Sequence, residues 1–420
     1  MSATKVIIII ILLTIILAFR FHQFYQNNPP YYDGQYLSAV ITLQQEPDFS
    51  YKGLKFTFKS PTNQLVAVTA NSFPRYHCGQ VIQIQGKLRT FSFPDGKKIF
   101  TMYHPKISLQ EDSSNPIAAV ANTIRLRTRA LYTSILPPVP SSLLMGMVFG
   151  ANEKFPDDFR KALQATGVLH VIAASGMNVT FVSSALLFLL GLFMRRRVAL
   201  VFGCMGIIFY VFLVGFQPSI LRASIMGILA FGASLLGRQN IGIVALLISG
   251  YGLLIWQPIF LADVGFQLSF LATLGIMLLK PVLDQPLRMF GKIGEGLGES
   301  VTTTTAAQLG TLPVLLSVFG QVGVLSILVN ALVLWTIPFI MVFGSLAAIA
   351  GLFIPQVGQL FLYPAYPFLV FFEMIVSFFG KSNLVISGVA LPTAVWVGYY
   401  LLLAAVVVLQ RRRERLCSRS

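Results

Sequence analysis

One polar interruption stands in a long apolar part of the chain: Gly167-Val168-Leu169-His170-Val171-Ile172-Ala173-Ala174-Ser175-Gly176-Met177-Asn178-Val179-Thr180. It continues into the apolar run 181–194, which ends at Arg195-Arg196-Arg197. A membrane helix that begins with His, Ser-Gly and Asn must satisfy each polar group where water is scarce. Ser175-Gly176 therefore indicates either a helix break that faces a polar cavity or a bend that lets a neighbouring helix pack closely. The stretch alone leaves both interpretations open.

The composition decides the class of protein. Of the 420 residues, 55% are hydrophobic and only 11% are charged, which is typical of a polytopic α-helical membrane protein. The net charge of +16 does not by itself indicate nucleic-acid binding, because Lys and Arg collect in the cytoplasmic loops of such proteins. The three cysteines, Cys78, Cys204 and Cys417, show no metal-binding spacing, and four histidines do not supply a His-rich hydrolytic centre. No metal and no cofactor are expected.

The first 115 residues change character at about residue 30. Residues 1–29 contain an aliphatic run and no small-residue cleavage site after it, so we expect a signal-anchor helix. Residues 30–115 show short alternating runs between turn residues, which predict about five strands and a small all-β, OB-like barrel. The predicted strands are 35–43, 54–58, 65–69, 81–88 and 99–109.

The remaining chain is predicted to be helical. Residues 116–166 are expected to form amphipathic or interfacial helices, with 141–150 too short to span and either re-entrant or packed at the interface. Residues 167–410 form the transmembrane domain, and 411–420 form a basic tail. The apolar segments are 168–194, 198–214, 219–236, 241–256, 261–279, 301–319, 324–352, 357–379 and 388–409. Together with the anchor they predict about ten membrane spans.

The basic loops predict an orientation. If each span crosses once, Arg238, the loop with Lys280, and the arginine runs 195–197 and 411–413 all lie on one side. This arrangement places both termini in the cytoplasm and the barrel outside.

A few costly polar residues lie inside the apolar segments. Arg222 and Asp263 are expected to pair or to face water, because an unpaired charge in a bilayer costs a few kcal/mol or more. A structural cap or a snorkelling group at the interface is the alternative for each. Gln308 and Asn330 are expected to make interhelical hydrogen bonds rather than ligand contacts.

The predicted barrel mixes cations with aromatic residues. Its candidate DNA contacts are Lys52, Lys55, Arg75, Arg89, Lys97 and Lys98. Cations beside aromatic rings bind single strands through backbone attraction and base stacking. The alternative is that the aromatic residues fill the barrel core and that interspersed acids leave only a mild basic excess.

Residues 167–179 resemble the competence motif of the ComEC/Rec2 family, which usually has the form TGLxHLLAISGLHV. The resemblance is reinforced in order by Pro218-Ser219-Ile220-Leu221-Arg222-Ala223, by Asp263-Val264-Gly265-Phe266-Gln267-Leu268-Ser269-Phe270, by Gln308-Leu309-Gly310-Thr311-Leu312-Pro313 and by Phe319-Gly320-Gln321 to Asn330. With the OB-like barrel it extends over roughly residues 30–410, and several ordered motifs are far more specific than one.

The resemblance implies an inner-membrane channel component that passes single-stranded DNA into the bacterial cytoplasm during natural transformation, and not an enzyme. The implied partners are single-stranded DNA, the lipid bilayer, a DNA receptor, an ATPase and a separate nuclease, and a homo-oligomer is compatible with it. The motif residues proposed for the channel are His170, Ser175, Gly176, Asn178, Arg222, Asp263, Gln267, Gln308 and Asn330.

Two features depart from the family pattern. Asn178 stands where the motif usually has a second His, which puts any role of that imidazole in doubt. Many relatives also carry a metallo-β-lactamase-like domain, but this sequence has no HxHxDH motif, and it has no Walker A motif. Nuclease and ATPase activities are therefore expected from other proteins.

Two other functions compete with the channel. Ala173-Ala174-Ser175-Gly176 resembles the GxSG of rhomboid proteases, but no His follows Ser175, and His170 lies about 140° away around a regular helix. A small-solute transporter or a membrane scaffold is the other alternative, since a fold does not determine its cargo.

Overall fold

The computed structural model describes residues 3–43, 48–50, 53–62, 64–71, 76, 81–92, 98–111, 116–150, 155–172, 175–239, 241–287, 295–323, 325–381, 385–387 and 392–417. The chain forms two compact units. The first consists of Met1–Ile124 and Tyr251–Asp263, and the second of Arg125–Gly250 and Val264–Ser420.

The first unit begins with helix α1 (Ala3–Asn27). Among the described residues, this helix contacts the segment Tyr251–Asp263 of the same unit through three hydrogen bonds, one of which runs from Arg20 Nη2 to the Trp256 carbonyl oxygen at 3.5 Å. Arg20 donates from Nε to the carbonyl oxygen of Ile255 at 3.0 Å, and the Tyr251 hydroxyl donates to the Leu13 carbonyl oxygen at 3.1 Å.

Eight strands follow α1, and they form two sheets. The strands are β1 (Tyr36–Thr42), β2 (Asp48–Ser50), β3 (Gly53–Lys59), β4 (Leu65–Ala70), β5 (Val81–Lys87), β6 (Arg89–Ser92), β7 (Lys98–Tyr103) and β8 (Lys106–Glu111). One sheet has the order β1-β5-β8 and the other the order β2-β3-β4-β7-β6. All neighbouring strands are antiparallel except β4 and β7, which are parallel.

The chain passes repeatedly from one sheet to the other, which gives the domain its barrel-like order. Only Leu88 separates β5 from β6, and only His104 and Pro105 separate β7 from β8. His104 has a positive φ of 47°, so the predicted strand 99–109 turns there and divides in two. Taking β5 with β6 and β7 with β8 as bent strands connects the two sheets. The predicted all-β fold of this region is confirmed.

The apolar side chains at alternating positions of the strands form the core between these sheets. Leu54, Val66, Ile82, Ile84 and Met102 are completely buried and belong to one core cluster. Phe56 is also buried in this cluster, and Phe58 packs against it. Part of the aromatic content of the domain therefore stabilises its core.

The second unit is helical from the latter part of α2 onward. The helices that follow the β domain are α2 (Pro116–Ile135), α3 (Pro138–Phe149), α4 (Asp157–Ala165), α5 (Leu169–Ile172), α6 (Gly176–Phe193), α7 (Arg196–Val214), α8 (Pro218–Leu235), α9 (Gly242–Trp256), α10 (Val264–Leu287), α11 (Glu295–Phe319), α12 (Ser326–Val333), α13 (Ile337–Phe353), α14 (Pro355–Gly380) and α15 (Thr393–Cys417). The first part of α2 and the end of α9 belong to the first unit. A short antiparallel pair joins β9 (Gln321–Gly323) and β10 (Val385–Ser387).

Seven stretches of the described chain are long and apolar enough to cross a membrane. They are Gly176–Phe193, Arg196–Val214, Pro218–Leu235, Val264–Gln285, Gly298–Phe319, Ser326–Phe353 and Pro355–Gly380. Shorter apolar helices lie at Pro138–Phe149, Gly242–Trp256 and Ala394–Gln410. The chain is a polytopic α-helical membrane protein with an N-terminal β domain.

The predicted segment 324–352 is not one uninterrupted helix. It consists of α12, a 3₁₀ turn (Leu334–Thr336) and α13, with Pro338 in the first turn of α13. Proline has no N–H group, so the Leu334 carbonyl four residues before Pro338 has no helical donor and accepts from the Ile337 N–H instead. The 3₁₀ turn lies at this point.

Helix α3 lies in the interior of the second unit. Every residue of Leu143–Phe149 is buried in the protein, and the re-entrant or interface-packed placement of this segment stays a prediction. The Tyr132 hydroxyl of α2 donates to the Gly344 carbonyl oxygen of α13 at 2.7 Å, and burial raises the pKa of Tyr132. A methyl group on Gly344 would lie 2.5 Å from the Leu144 side chain, so this glycine permits α3 and α13 to pack closely.

Candidate functional site

The polar stretch 167–180 forms two helices rather than one bent helix. Helix α5 ends at Ile172, and α6 begins at Gly176 after Ser175, whose backbone is extended with φ −115° and ψ 161°. Ala173 and Ala174 lie outside the described residues. Gly167, just before α5, has a positive φ of 71°, a conformation that glycine adopts without strain.

Asn178 connects α6 to the end of the buried helix α3. It is 1% exposed, and its Nδ2 donates to the Met147 carbonyl oxygen at 2.8 Å. Its Oδ1 accepts a hydrogen bond from the Ser175 hydroxyl at 3.0 Å. The Tyr210 hydroxyl of α7 donates to the adjacent Val148 carbonyl oxygen at 3.0 Å. Carbonyls at a helix end have no intrahelical donor, so both side chains satisfy groups that would otherwise be unpaired in the interior.

Arg222 is a buried cation, with 6% of its surface exposed. Its Nε donates to the Ser269 hydroxyl of α10 at 2.9 Å, and its Nη1 lies 3.1 Å from the Met226 sulfur. The ion pair expected with Asp263 is not observed: no carboxylate of the described residues forms a salt bridge with Arg222.

Gly176 lets Arg222 approach the start of α6. A methyl group on Gly176 would lie 2.9 Å from Arg222 Nη2 and 3.2 Å from the Ala223 Cβ. Gly176 is the first residue of α6, Arg222 lies near the start of α8, and Ser269 lies near the start of α10. The N-terminal turns of three helices therefore meet around one guanidinium.

Gln308 links α11 to the start of α12. Its Nε2 donates to the Ser326 hydroxyl, and that hydroxyl donates to the Gly323 carbonyl oxygen at 2.7 Å. A methyl group on Gly167 would lie 2.9 Å from the Ser326 Cβ, so this contact reaches the beginning of the polar stretch. Asn330, one turn further along α12, is 2% exposed, and its Oδ1 has no hydrogen-bond partner among the described residues.

The other motif residues are more dispersed. His170 is exposed, and its Nδ1 lies 2.9 Å from the Gly167 carbonyl oxygen. Asp263 and Gln267 lie just before and within the first turns of α10. The Ser175 hydroxyl is bonded to an amide, which is not a base, so the described geometry gives that serine no proton acceptor for proteolysis.

The five-stranded sheet of the β domain carries cations and aromatic rings on one outer face. Lys55 is opposite Thr69, Thr69 is opposite Tyr103, and Arg89 is opposite Thr101, so these side chains project to the same side. Phe91, two residues after Arg89, shares this face and is 48% exposed, and Tyr103 is 58% exposed. We call Lys55, Arg89, Phe91 and Tyr103 the outer sheet face.

Three of the six predicted DNA contacts, Lys52, Arg75 and Lys97, lie outside the described residues, and Lys98 is described only as part of strand β7. Within the described chain, no three His, Cys, Asp or Glu side chains are grouped to hold a metal ion.

Sequence reasoning missed several residues that the structure brings to these places. Tyr103 could have been found from strand alternation, since it lies two residues after the outward Thr101. Ser269 stands inside the quoted motif 263–270 but was not singled out. Nothing in the sequence indicated that Tyr210 and Asn178 would both bond the end of α3, because that contact depends on how separate helices pack.

The sequence pattern of the competence protein family matches residues 147–413, which include α6 to α14 and most of α15. The chain belongs to this family. The match confirms the ComEC/Rec2 resemblance of the motifs, and at the family level it supports a role in DNA uptake.

Three curated relatives are similar to parts of the chain. ComE operon protein 3 of Bacillus subtilis is 28% identical over 228 residues, which is 54% of this chain and 28% of that protein. An uncharacterised protein of Aquifex aeolicus is 28% identical over 188 residues, 44% of this chain and 42% of its own length. The uncharacterised protein YcaI of Escherichia coli is 23% identical over 272 residues, 62% of this chain and 36% of its own length. The matched region thus spans less than half of each relative. No solved structure matches the chain.

Proposed function

We propose that this protein is an inner-membrane channel component that passes single-stranded DNA into the cytoplasm. Membership of the competence family supports DNA as the cargo. The observation that carries the channel role is the burial of Arg222 where the N-terminal turns of α6, α8 and α10 meet. Helix N-termini carry partial positive charge, and Arg222 adds a full charge that forms no salt bridge with a carboxylate of the described residues. Such a junction favours an anionic cargo.

The basic loops support a direction of transport. With the arginine runs 195–197 and 411–413 in the cytoplasm, the three N-terminal turns lie toward the outer side of the membrane. The β domain then lies outside, both termini lie in the cytoplasm, and incoming DNA meets the positive end of the helices first.

The outer sheet face of the β domain suits a single strand before it enters the membrane. Exposed Lys55 and Arg89 attract phosphates, and exposed Phe91 and Tyr103 offer rings on which bases stack irrespective of sequence. A DNA receptor, an ATPase and a separate nuclease are the protein partners that family membership suggests.

The test is entry of fluorescent DNA into the cytoplasm of cells with the gene intact, deleted, or carrying Arg222→Ala. Surface-bound and internalised DNA are scored separately, so that capture is not confused with entry. Arg238→Ala is the matched control, because Arg238 is exposed beyond the end of α8. We expect the deletion and Arg222→Ala to abolish entry with surface binding preserved, and Arg238→Ala to keep it.

Membrane insertion of each variant is checked by fractionation. Unchanged entry in the deletion strain would overturn the DNA channel and leave solute transport or a scaffold role.

A further inference from the structure

The first turn of α6 is an open helix N-terminus. The N–H groups of Gly176 and Met177 have no intrahelical acceptor, as at every helix start. Ser175 stands at the capping position, but its side chain makes no capping bond and instead donates to Asn178. The partial positive charge of this helix end is therefore not neutralised by a capping side chain.

A buried guanidinium adjoins the same turn. Arg222 Nε and Nη1 are held by Ser269 and Met226, and Nη2 makes no hydrogen bond to the described residues. Nη2 lies 2.9 Å from the place where a side chain on Gly176 would begin. With Nε anchored, Nη2 therefore lies beside the first residue of α6.

A buried cation beside a helix N-terminus is electrostatically unfavourable. A buried cation is normally compensated by an anion, and a hydroxyl with a thioether is weak compensation. Placing the cation beside a positive helix end adds to the cost. An anion bound between Nη2 and the α6 amides would offset both charges.

We propose that Arg222 and the first turn of α6 bind one phosphate group, and this proposal rests on the channel function, since it assigns that group to the DNA backbone. Tetrahedral phosphate oxygens suit both donors, because helix N-termini and guanidinium groups each bind phosphate by charge-assisted hydrogen bonds. Gly176 is required because any side chain there would occupy the space beside Nη2.

The first experiment measures thermal unfolding of the purified full chain in an uncharged detergent. Sodium phosphate replaces sodium chloride at constant ionic strength. We expect phosphate to raise the unfolding temperature saturably, as a ligand of the folded state does. Gly176→Ala, which displaces Nη2, should weaken phosphate binding about tenfold, the loss of roughly one charge-assisted hydrogen bond. Arg222→Gln should abolish the effect.

Gly191→Ala in the same helix is the matched control, because a methyl group there meets nothing within 4 Å. It should bind phosphate as the wild type does. Gly176→Ala keeps Arg222 and tests the site even if Arg222→Gln fails to fold. An equal effect of phosphate on wild type, Gly176→Ala and Gly191→Ala, or no effect on the wild type, would overturn the site.

A second experiment distinguishes the two sources of phosphodiester, DNA and lipid headgroups. Oligothymidine should compete with phosphate in detergent, and an oligothymidine with uncharged methylphosphonate linkages should not. The phosphate effect should persist in phosphatidylcholine nanodiscs. Its disappearance there, without competition by oligothymidine, would assign the site to a headgroup and overturn the DNA assignment.

The measurements distinguish a failure of the proposed phosphate site from a failure of the proposed channel function. If Gly176→Ala loses phosphate binding but DNA entry stays normal, the site has no part in transport and the channel stands. If deletion of the gene leaves DNA entry unchanged, the channel fails whatever the phosphate measurement shows.

Discussion

Asn178, which stands where the family motif usually has His, makes two side-chain hydrogen bonds near the end of α3. Its amide donates to the Met147 carbonyl and accepts from Ser175, so Asn178→Ala leaves the buried Met147 carbonyl and the half-buried Ser175 hydroxyl without these partners. We expect Asn178→Ala to lower the free energy of unfolding by about 1–3 kcal/mol, the usual cost of an unsatisfied buried group. Denaturant titration in detergent measures it.

The family residue offers a control for this prediction. An imidazole can donate from one nitrogen and accept at the other, so Asn178→His should recover most of the stability lost in Asn178→Ala. If alanine and histidine variants unfold alike, the two hydrogen bonds of Asn178 do not stabilise the end of α3.

Asp33 makes the stability of the turn at Thr90 in the β domain dependent on pH. The Asp33 Oδ1 accepts a hydrogen bond from the Thr90 backbone N–H at 2.6 Å, and this bond, assisted by Lys87 and Arg89, lowers the Asp33 pKa. A carboxylate with a lowered pKa stabilises the fold above its unfolded pKa of about 3.9, and this contribution disappears as the pH falls through the lower folded value. In the wild type, the Thr90 backbone N–H should therefore lose protection from hydrogen exchange as the pH falls.

Hydrogen exchange of peptides covering 81–92, measured at several pH values and corrected for intrinsic rates, tests this. Asp33→Asn should give weaker protection at neutral pH and remove the extra acid sensitivity. Equal acid sensitivity in both proteins would show that Asp33 does not link the pH to this turn.

The individual residues also show where sequence reasoning ends. The apolar surroundings of Arg222 predicted a costly cation that pairs with a carboxylate or faces water, whereas the side chain is buried and bonded to the Ser269 hydroxyl. Its hydroxyl partner Ser269 lies 47 residues later, and its neighbour Gly176 lies 46 residues earlier. No local pattern encodes such distant contacts, because helix packing determines them.

Among the elements, α11 contains a proline, and α15 supplies a hydrogen bond to the carbonyl group that this proline leaves without a helical donor. Pro313 has no N–H group, so the Leu309 carbonyl four residues earlier loses its helical donor. The Tyr399 hydroxyl of α15 donates to that carbonyl at 2.8 Å. We expect Tyr399→Phe to cost about 1–2 kcal/mol of stability, and clearly less in a Pro313→Ala background, where the helix bond returns.

Tyr363→Phe is the control, because Tyr363 is 64% exposed on α14 and should tolerate loss of its hydroxyl. The free energies of unfolding of the wild type, the two single variants and the double variant give the coupling energy between Tyr399 and Pro313. A Tyr399→Phe cost that is identical with and without Pro313 would contradict the assignment.

Helices α10 and α11 pack with their backbones almost in contact. A methyl group on Gly310 would lie 2.6 Å from the Leu271 carbonyl oxygen and 3.2 Å from the Gly275 Cα. Backbone atoms cannot move aside as a flexible side chain can, so Gly310→Ala should destabilise the protein by about 1–3 kcal/mol. Gly232→Ala in α8, where nothing lies within 4 Å, should have little effect.

Thermal unfolding in one detergent compares the two alanine variants. Equal stability of Gly310→Ala and Gly232→Ala would show that α10 and α11 separate without cost.

Elements were predicted well where a local rule decides them. Alternation predicted the β strands, and seven of the roughly ten predicted spans are long and apolar enough to cross a membrane among the described residues. Details beyond these rules depend on turns and tertiary contacts: His104 divides the strand 99–109, a 3₁₀ turn interrupts the segment 324–352, and other helices surround α3.

For the whole molecule, the proposed channel function predicts that the β domain binds a single strand of DNA before transport. Oligothymidine binding by the full chain should depend steeply on salt, because the outer sheet face attracts phosphates through Lys55 and Arg89. Replacing both with Gln should reduce the slope of log affinity against log salt by about 1.4, at roughly 0.7 for each phosphate contact on a single strand. Fluorescence anisotropy measures this slope.

Aromatic residues of the same face should act differently. Removing the rings of Phe91 or Tyr103 should cost about 1–3 kcal/mol of binding free energy per stacked base and leave the salt slope unchanged, because stacking releases no counterions. Exposed Lys87 and Lys106, on the three-stranded sheet, give the matched control: their replacement by Gln should change neither affinity nor slope. If these control lysines reduce the slope as much as Lys55 and Arg89 do, DNA is attracted by overall charge, and the five-stranded sheet is not its binding face.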